Sequence, residues 1–195
     1  MAKDQQIAKT RAALRGAPRG ALRRHVVFVG LMGAGKSAIG RRVATRIGAR
    51  FRDSDTEIEK AAGMKIADIF AVHGEADFRS GERRVITRLM GGPPMVLATG
   101  GGAYMDDETR ALLHEHATTV WMRADLDVLV KRCAKRGHRP LLKTGDPRII
   151  LSDLMDRRYP VYADADVVID SRDEPHEVAV REIVDALRAR GDLAS

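Results

Sequence analysis

The stretch VVFVGLMGAGKSAIG, residues 26–40, decides the fold of this chain. An apolar, mostly β-branched run stops at Gly30; Gly35-Lys36-Ser37 follows, and then a helix-like pattern. Short runs of the first kind read as strands buried on both faces of a parallel sheet. Gly30-Leu31-Met32-Gly33-Ala34-Gly35-Lys36-Ser37 fits G-x-x-x-x-G-K-[ST], the P-loop pattern. Each residue type has a task there. Glycines let successive backbone N–H groups turn toward one anion. The helix that follows adds partial positive charge at its start. Lys36 brings a mobile cation for the β- and γ-phosphates, and the Ser37 hydroxyl is a magnesium ligand.

Outward from this stretch, strand and helix patterns alternate. Residues 25–30, 50–54, 95–99, 118–123 and 166–170 read as strands. Residues 36–47, 56–62, 65–72, 75–90, 107–116, 125–136, 149–163 and 175–190 read as helices. Gly48, Gly63, Gly74 and the Gly-Gly-Pro-Pro turn at 91–94 separate them. Pro160 is expected to kink or end its helix. The alternation implies an α/β domain whose mainly parallel sheet is covered on both faces. Residues 137–148, GHRPLLKTGDPR, break the regularity and are expected to form a mobile loop.

With 195 residues, 44% of them apolar, the chain suits a single domain with a substantial core. No apolar run approaches the roughly 20 residues that span a bilayer, so no membrane partner is expected. One cysteine, Cys133, excludes an internal disulfide framework. Together with the lack of a secretory apolar segment near the N-terminus, it points to the cytoplasm. The net charge of +7 suggests nucleic acid until it is mapped. Seven basic residues and one acid fall in residues 1–24, leaving about +1 for the rest. The expectation is a basic, flexible tail at 1–24, a single domain at 25–195, and no nucleic-acid partner.

The P-loop class narrows next. The chain has no asparagine, so it lacks the Asn-Lys-x-Asp element with which GTPases read guanine. The strand at 95–99 runs into glycines rather than an acid, so the carboxylate near the metal is sought in FRDSDTEIE, residues 51–59. Asp53 and Asp55 are two apart at a strand end and can project to one side. One could orient magnesium-bound water while the other holds an acceptor hydroxyl. Ser54-x-x-Glu57 and Thr56-x-x-Glu59 also fit capping boxes. Gly100-Gly101-Gly102 follows a strand at the edge where open α/β sheets bind ligands. His114 and His116 are two apart on a helix and make a poor metal pair. Trp121 and Cys133 read as core residues.

The blocks GLMGAGKSAIG, FRDSDTEIE, ADIFAVHGEADFRSGE, LATGGGA, HRPLL and RRYPVYADAD resemble those of the shikimate kinase family, in its order and near its spacing. The resemblance covers about residues 26–190. It implies an NMP-kinase-like fold: a three-layer α/β sandwich with a five-stranded parallel sheet. It implies transfer of the ATP γ-phosphoryl group to the 3-hydroxyl of shikimate, in aromatic amino acid biosynthesis. Magnesium is the implied cofactor, ATP and shikimate the partners, and a monomer the expected state.

Residue by residue, the resemblance implies catalytic roles for Lys36, Asp55 and Arg139. Gly33, Ala34, Gly35, Lys36, Ser37, Ala38, Arg132 and Arg139 would contact ATP, with Arg172 a looser match beside the adenine. Ser37 and, through water, Asp53 would hold the metal. Asp55, Arg79, Glu82, Gly100, Gly101, Gly102 and Arg158 would surround the substrate. Of these, Arg79 and Arg158 would bind its carboxylate, Asp55 its hydroxyls, and Glu82 would orient the binding groups. Arg139 would close onto ATP from a lid at about 137–148. The residues by themselves imply a P-loop phosphotransferase acting on a small molecule. At this stage a gluconate kinase-like enzyme and an inactive nucleotide-binding interaction module stay open. Nearby arginines are expected to keep Asp55 ionised and weakly basic.

Overall fold

The strand β1 (His25–Val29) is buried at all five positions. Successive strand residues point to opposite faces, so both faces of the sheet are covered at this point. The computed structural model describes residues 22–134 and 145–193. Beside β1 run β2 (Phe51–Asp53), β3 (Val96–Ala98), β4 (Ala117–Arg123) and β5 (Val167–Asp170). They form one parallel sheet in the order β2-β3-β1-β4-β5. Val27 faces Leu97 on one side and Thr119 on the other, which brings the carboxyl ends of β1 and β3 together.

The helices are α1 (Lys36–Arg46), α2 (Ser54–Ala62), α3 (Ile66–Met90), α4 (Asp107–His116), α5 (Leu126–Ala134), α6 (Pro147–Tyr162) and α7 (His176–Ala189). A short 3₁₀ turn, Ala103–Met105, follows β3. The outcome is the expected α/β architecture with a five-stranded parallel sheet. The two helices read at 65–72 and 75–90 run on as one element, but Gly74 breaks it with φ 80° and ψ 178°. The helix α6 continues two residues past Pro160 to Tyr162. The proline forgoes the bond to the carbonyl of Asp156, an exposed residue whose carbonyl water can satisfy.

Neither capping box forms at the start of α2. The cap is Asp53, whose Oδ1 accepts from the Asp55 N–H at 3.1 Å. Ser54 is buried and turns its hydroxyl to the Gly100 N–H instead, at 3.0 Å. Asp146 likewise caps α6, accepting from the Arg148 N–H at 2.7 Å.

The core gathers on the sheet and includes Trp121 and Cys133, as expected. Trp121 meets Tyr159 edge-on at 5.0 Å, and Tyr162 and Tyr104 extend the cluster. Such ring pairs contribute about 1 kcal/mol each beyond burial. They fix α6 against β4, and α6 carries Arg158. At the other end of the described chain Leu22 is buried and bridges Leu193, while the Arg23 N–H donates to Asp192 O at 2.8 Å. Arg24 donates to three carbonyls at the end of α4 and the start of β4. Residues 22–24 are thus tied to the domain, Leu22 by burial and the exposed Arg23 and Arg24 by hydrogen bonds; residues 1–21 of the expected tail lie outside the described residues. Among the described residues no helix is long and apolar enough to cross a membrane.

Candidate active site

The loop after β1 turns on glycines with left-handed backbones, Gly33 at φ 84° and Gly35 at φ 96°. A side chain at Gly33 would be doubly barred, because its Cβ would lie 2.9 Å from the Cys133 Sγ. Lys36 opens α1 and is buried, its ammonium donating to Gly30 O at 2.7 Å and Leu31 O at 2.9 Å. The next residue, Ser37, donates its hydroxyl to Asp53 Oδ2 at 2.6 Å. Asp53 therefore binds Ser37 with one oxygen and caps α2 with the other. A hydroxyl and a carboxylate at a P-loop are hard oxygen donors of the kind magnesium takes beside nucleotide oxygens and water. Among the described residues no group of three or more His, Cys, Asp or Glu could hold a metal ion by itself.

A cleft of about 330 Å³ opens over this loop at the carboxyl ends of β1 and β3. It brings together Gly33, Gly35, Lys36, Ser37, Ala38, Asp53, Asp55, Gly100, Gly101 and Arg132, all singled out from the sequence. Ala34 does not line it: its side chain is buried beneath the loop. Met32, Thr99 and His176 line the cleft without having been foreseen. The first two carry no signal that separates them from loop and strand residues.

The remaining substrate candidates converge on the glycine triplet. Arg158 donates to Gly101 O at 2.7 Å, and the Tyr162 hydroxyl donates to the same carbonyl. Burial pushes the Tyr162 phenol up to about 12, so it remains a donor at neutral pH. Tyr162 was missed, although it stands one helical turn beyond Arg158 and so shares its face. Arg79 lies flat against Gly102, where a Cβ would overlap its guanidinium. It donates to Glu82 Oε2 at 2.6 Å and Glu75 Oε1 at 3.2 Å. Glu82 is buried, and its Oε1 has no hydrogen-bond partner. A Cβ on Gly100 would be 2.9 Å from both that Oε1 and Asp55 Oδ1, so two carboxylates flank the first glycine while two guanidiniums flank the others.

The basicity of Asp55 departs from expectation. It keeps an open edge to solvent but is deep among protein atoms. Burial and then the charge of Asp53 raise its pKa above the ordinary aspartate value, with Lys36 as the main opposing influence. The arginines expected to hold it ionised are spent elsewhere, Arg79 on Glu82 and Arg158 on Gly101. Asp55 is a better proton acceptor than the sequence suggested. Glu82 is raised as well, by burial first, against the pull of Arg79. Arg132 is engaged behind the loop, on Ser171 and the Arg172 carbonyl, and Arg172 points its own side chain toward Asp170. His114 is bound to Tyr104 and Asp164, away from His116. Arg139 and residues 137–144 of the expected lid lie outside the described residues.

A P-loop with its lysine and hydroxyl in place, beside a pocket of paired acids and arginines, defines a P-loop phosphotransferase for a small molecule. Residues 32–188 match the family model described as shikimate kinase. The chain is 53% identical over 190 residues to the shikimate kinase of Paramagnetospirillum magneticum, covering 97% of each chain. Its structure is similar to that of shikimate kinase from Acinetobacter baumannii in complex with shikimate: TM-score 0.81, 32% identity, 92% of this chain and 97% of that one. A gluconokinase from Sinorhizobium meliloti shares the fold at TM-score 0.62 and 20% identity, covering 88% of this chain and 95% of that one. The chain belongs to the shikimate kinase family.

Proposed function

We propose that this chain transfers the γ-phosphoryl group of ATP to the 3-hydroxyl of shikimate, giving shikimate 3-phosphate and ADP for chorismate and aromatic amino acid synthesis. One observation carries the reading beyond the family match. The glycine triplet has acids at one end, Asp55 and Glu82 at Gly100, and guanidiniums at the other, Arg158 at Gly101 and Arg79 at Gly102. A hydroxylated carboxylic acid fits that polarity. Its carboxylate meets planar forks that bind bidentately, and its hydroxyls meet carboxylate acceptors.

The chemistry asks for positioning and charge neutralisation more than for a strong base. The P-loop amides and Lys36 hold the β- and γ-phosphates. Asp55 aims the hydroxyl and accepts its proton late, a task its raised pKa favours. Ser37 and Asp53 fit magnesium, which when bound neutralises phosphate charge. Arg79 and Arg158 anchor the carboxylate, and Glu82 keeps Arg79 oriented. Arg139 is assigned by resemblance alone, as the cation that covers the transferring phosphoryl group. The chain is taken to act as a cytoplasmic monomer.

A coupled ADP-release assay tests the reading, run with ATP and shikimate, ATP and gluconate, and ATP alone. Release confined to shikimate is expected. Equal release with gluconate would overturn the substrate assignment, and no release with any acceptor would overturn the activity.

A further inference from the structure

The P-loop carbonyls raise a question of their own. In a trans peptide the carbonyl and the N–H lie in one plane and point in opposite directions. A loop that turns N–H groups toward phosphate therefore turns carbonyls outward, where each must find a donor. Lys36 serves Gly30 O and Leu31 O, and the Ile39 N–H serves Gly35 O at 2.9 Å. The carbonyls between them are met from behind, by residues more than 95 positions away in sequence. The Cys133 thiol faces Met32 O at 3.8 Å, a weak contact, and Arg132 Nη1 reaches Gly33 O at 3.4 Å. The short bond is the third: the Ser171 hydroxyl donates to Ala34 O at 2.8 Å.

Ser171 is itself tightly held. It is buried, and its N–H donates to Arg123 O at 2.6 Å, extending the β4–β5 pairing by one residue. Arg132 Nη1 donates to the Ser171 oxygen at 2.8 Å. That donor occupies a lone pair and leaves the hydroxyl hydrogen for Ala34. The peptide between Ala34 and Gly35 is thereby fixed, and Gly35 lines the cleft.

We infer that Ser171 is a positioning residue of the nucleotide site: by holding the Ala34 carbonyl outward it aims the Gly35 N–H, the other end of the same peptide plane, at the phosphates. This rests on the P-loop reading above. It adds a residue that touches no phosphate. Ser171 also borders a small recess with Arg132, Pro175 and His176, so lower ATP affinity alone would leave open an effect on the base. Inorganic tripolyphosphate, which has no base, separates the two.

The experiment measures binding of ATP and of tripolyphosphate by titration calorimetry, with magnesium, to wild type, Ser171→Ala and Ser171→Thr, and records Tm and both KM values. Ser171→Ala leaves a buried carbonyl without its donor, and about 10-fold weaker binding of both ligands is expected. Ser171→Thr, which restores the hydroxyl, should return both affinities to within about twofold of wild type, with the shikimate KM unchanged. Unchanged affinities in Ser171→Ala, or loss of ATP binding without loss of tripolyphosphate binding, would overturn the inference. Wild type that bound neither ligand would instead overturn the P-loop reading beneath it. Should Ser171→Ala not fold, Ser171→Cys, near-isosteric with a weaker donor, should weaken both ligands about threefold, and equality with wild type would count against the inference.

Discussion

Replacing Gly102 by alanine should damage the substrate pocket without touching the nucleotide site. The backbone at Gly102 has φ −103° and ψ −15°, which alanine adopts without strain. The effect is therefore one of volume. The new Cβ would lie 2.6 Å from the Arg79 guanidinium carbon, against the 3.4 Å at which ordinary contact begins. The guanidinium must retreat by roughly 1 Å. Displaced that far, it cannot keep its 2.6 Å bond to Glu82, its 3.2 Å bond to Glu75 and its aim at a substrate carboxylate together. A charge-assisted hydrogen bond contributes about 1.5–3 kcal/mol, which converts to roughly 10- to 150-fold in the shikimate KM. Glu82 stays buried with a weakened partner, and a cost of about 1 kcal/mol would lower Tm by roughly 2–4 °C. Steady-state kinetics with each substrate varied in turn, together with a thermal melt, measures all of this. The ATP KM should stay within about twofold of wild type. A folded Gly102→Ala enzyme with an unchanged shikimate KM, or with both KM values raised alike, would refute the placement of Arg79 at the carboxylate.

Four other outcomes are expected. Asp55→Asn removes the proton acceptor and should cut turnover by about 100-fold or more; near-normal turnover would remove Asp55 from the chemistry. Arg139→Ala should lower kcat by about 10²- to 10³-fold, and a loss confined to ATP affinity would contradict its assignment to the transferring group. Asp53→Asn keeps an acceptor for Ser37 and a cap for α2 but loses the charge, so the magnesium concentration for half-maximal rate should rise; an unchanged magnesium profile would argue that the carboxylate does not serve the metal. Glu82 has a folded pKa above the ordinary glutamate value, because burial outweighs Arg79. Its carboxylate form therefore costs stability at neutral pH, and that cost fades as pH falls through the raised value toward about 4. The Tm of wild type should therefore rise relative to that of Glu82→Gln as pH falls from 7 toward about 4, and a difference that moved the other way would show the sign to be wrong.

The legible parts of this chain were those in which local pattern and tertiary role coincide. The P-loop is contiguous, and its strand and helix neighbours bracket it, so residues 26–40 announced both the fold class and the phosphate site. The helix at Asp107–His116 formed at the expected residues because Asp106 supplies its cap next to it in sequence. What escaped depends on distant chain. Asp53 takes the cap from Ser54 and Thr56 because Ser54 is claimed by Gly100, 46 residues on. The basicity of Asp55 comes first from burial, which is not visible in sequence, and then from the charge of Asp53, while the arginines near it have nearer partners, Glu82 and the Gly101 carbonyl. Glu82 itself was placed by resemblance; nothing in its sequence neighbourhood marks it as a buried acid. Ser171 has no local signature at all, since its partner Ala34 lies 137 residues away.

The most direct measurement is the position of the new phosphate ester. The purified chain is incubated with magnesium, ATP and shikimate, and the products are read by phosphorus and proton NMR. One ADP per phosphate ester is expected, with phosphorus coupled to the proton on carbon 3 of the ring. Inorganic phosphate alone, or an ester on another hydroxyl, would contradict the account.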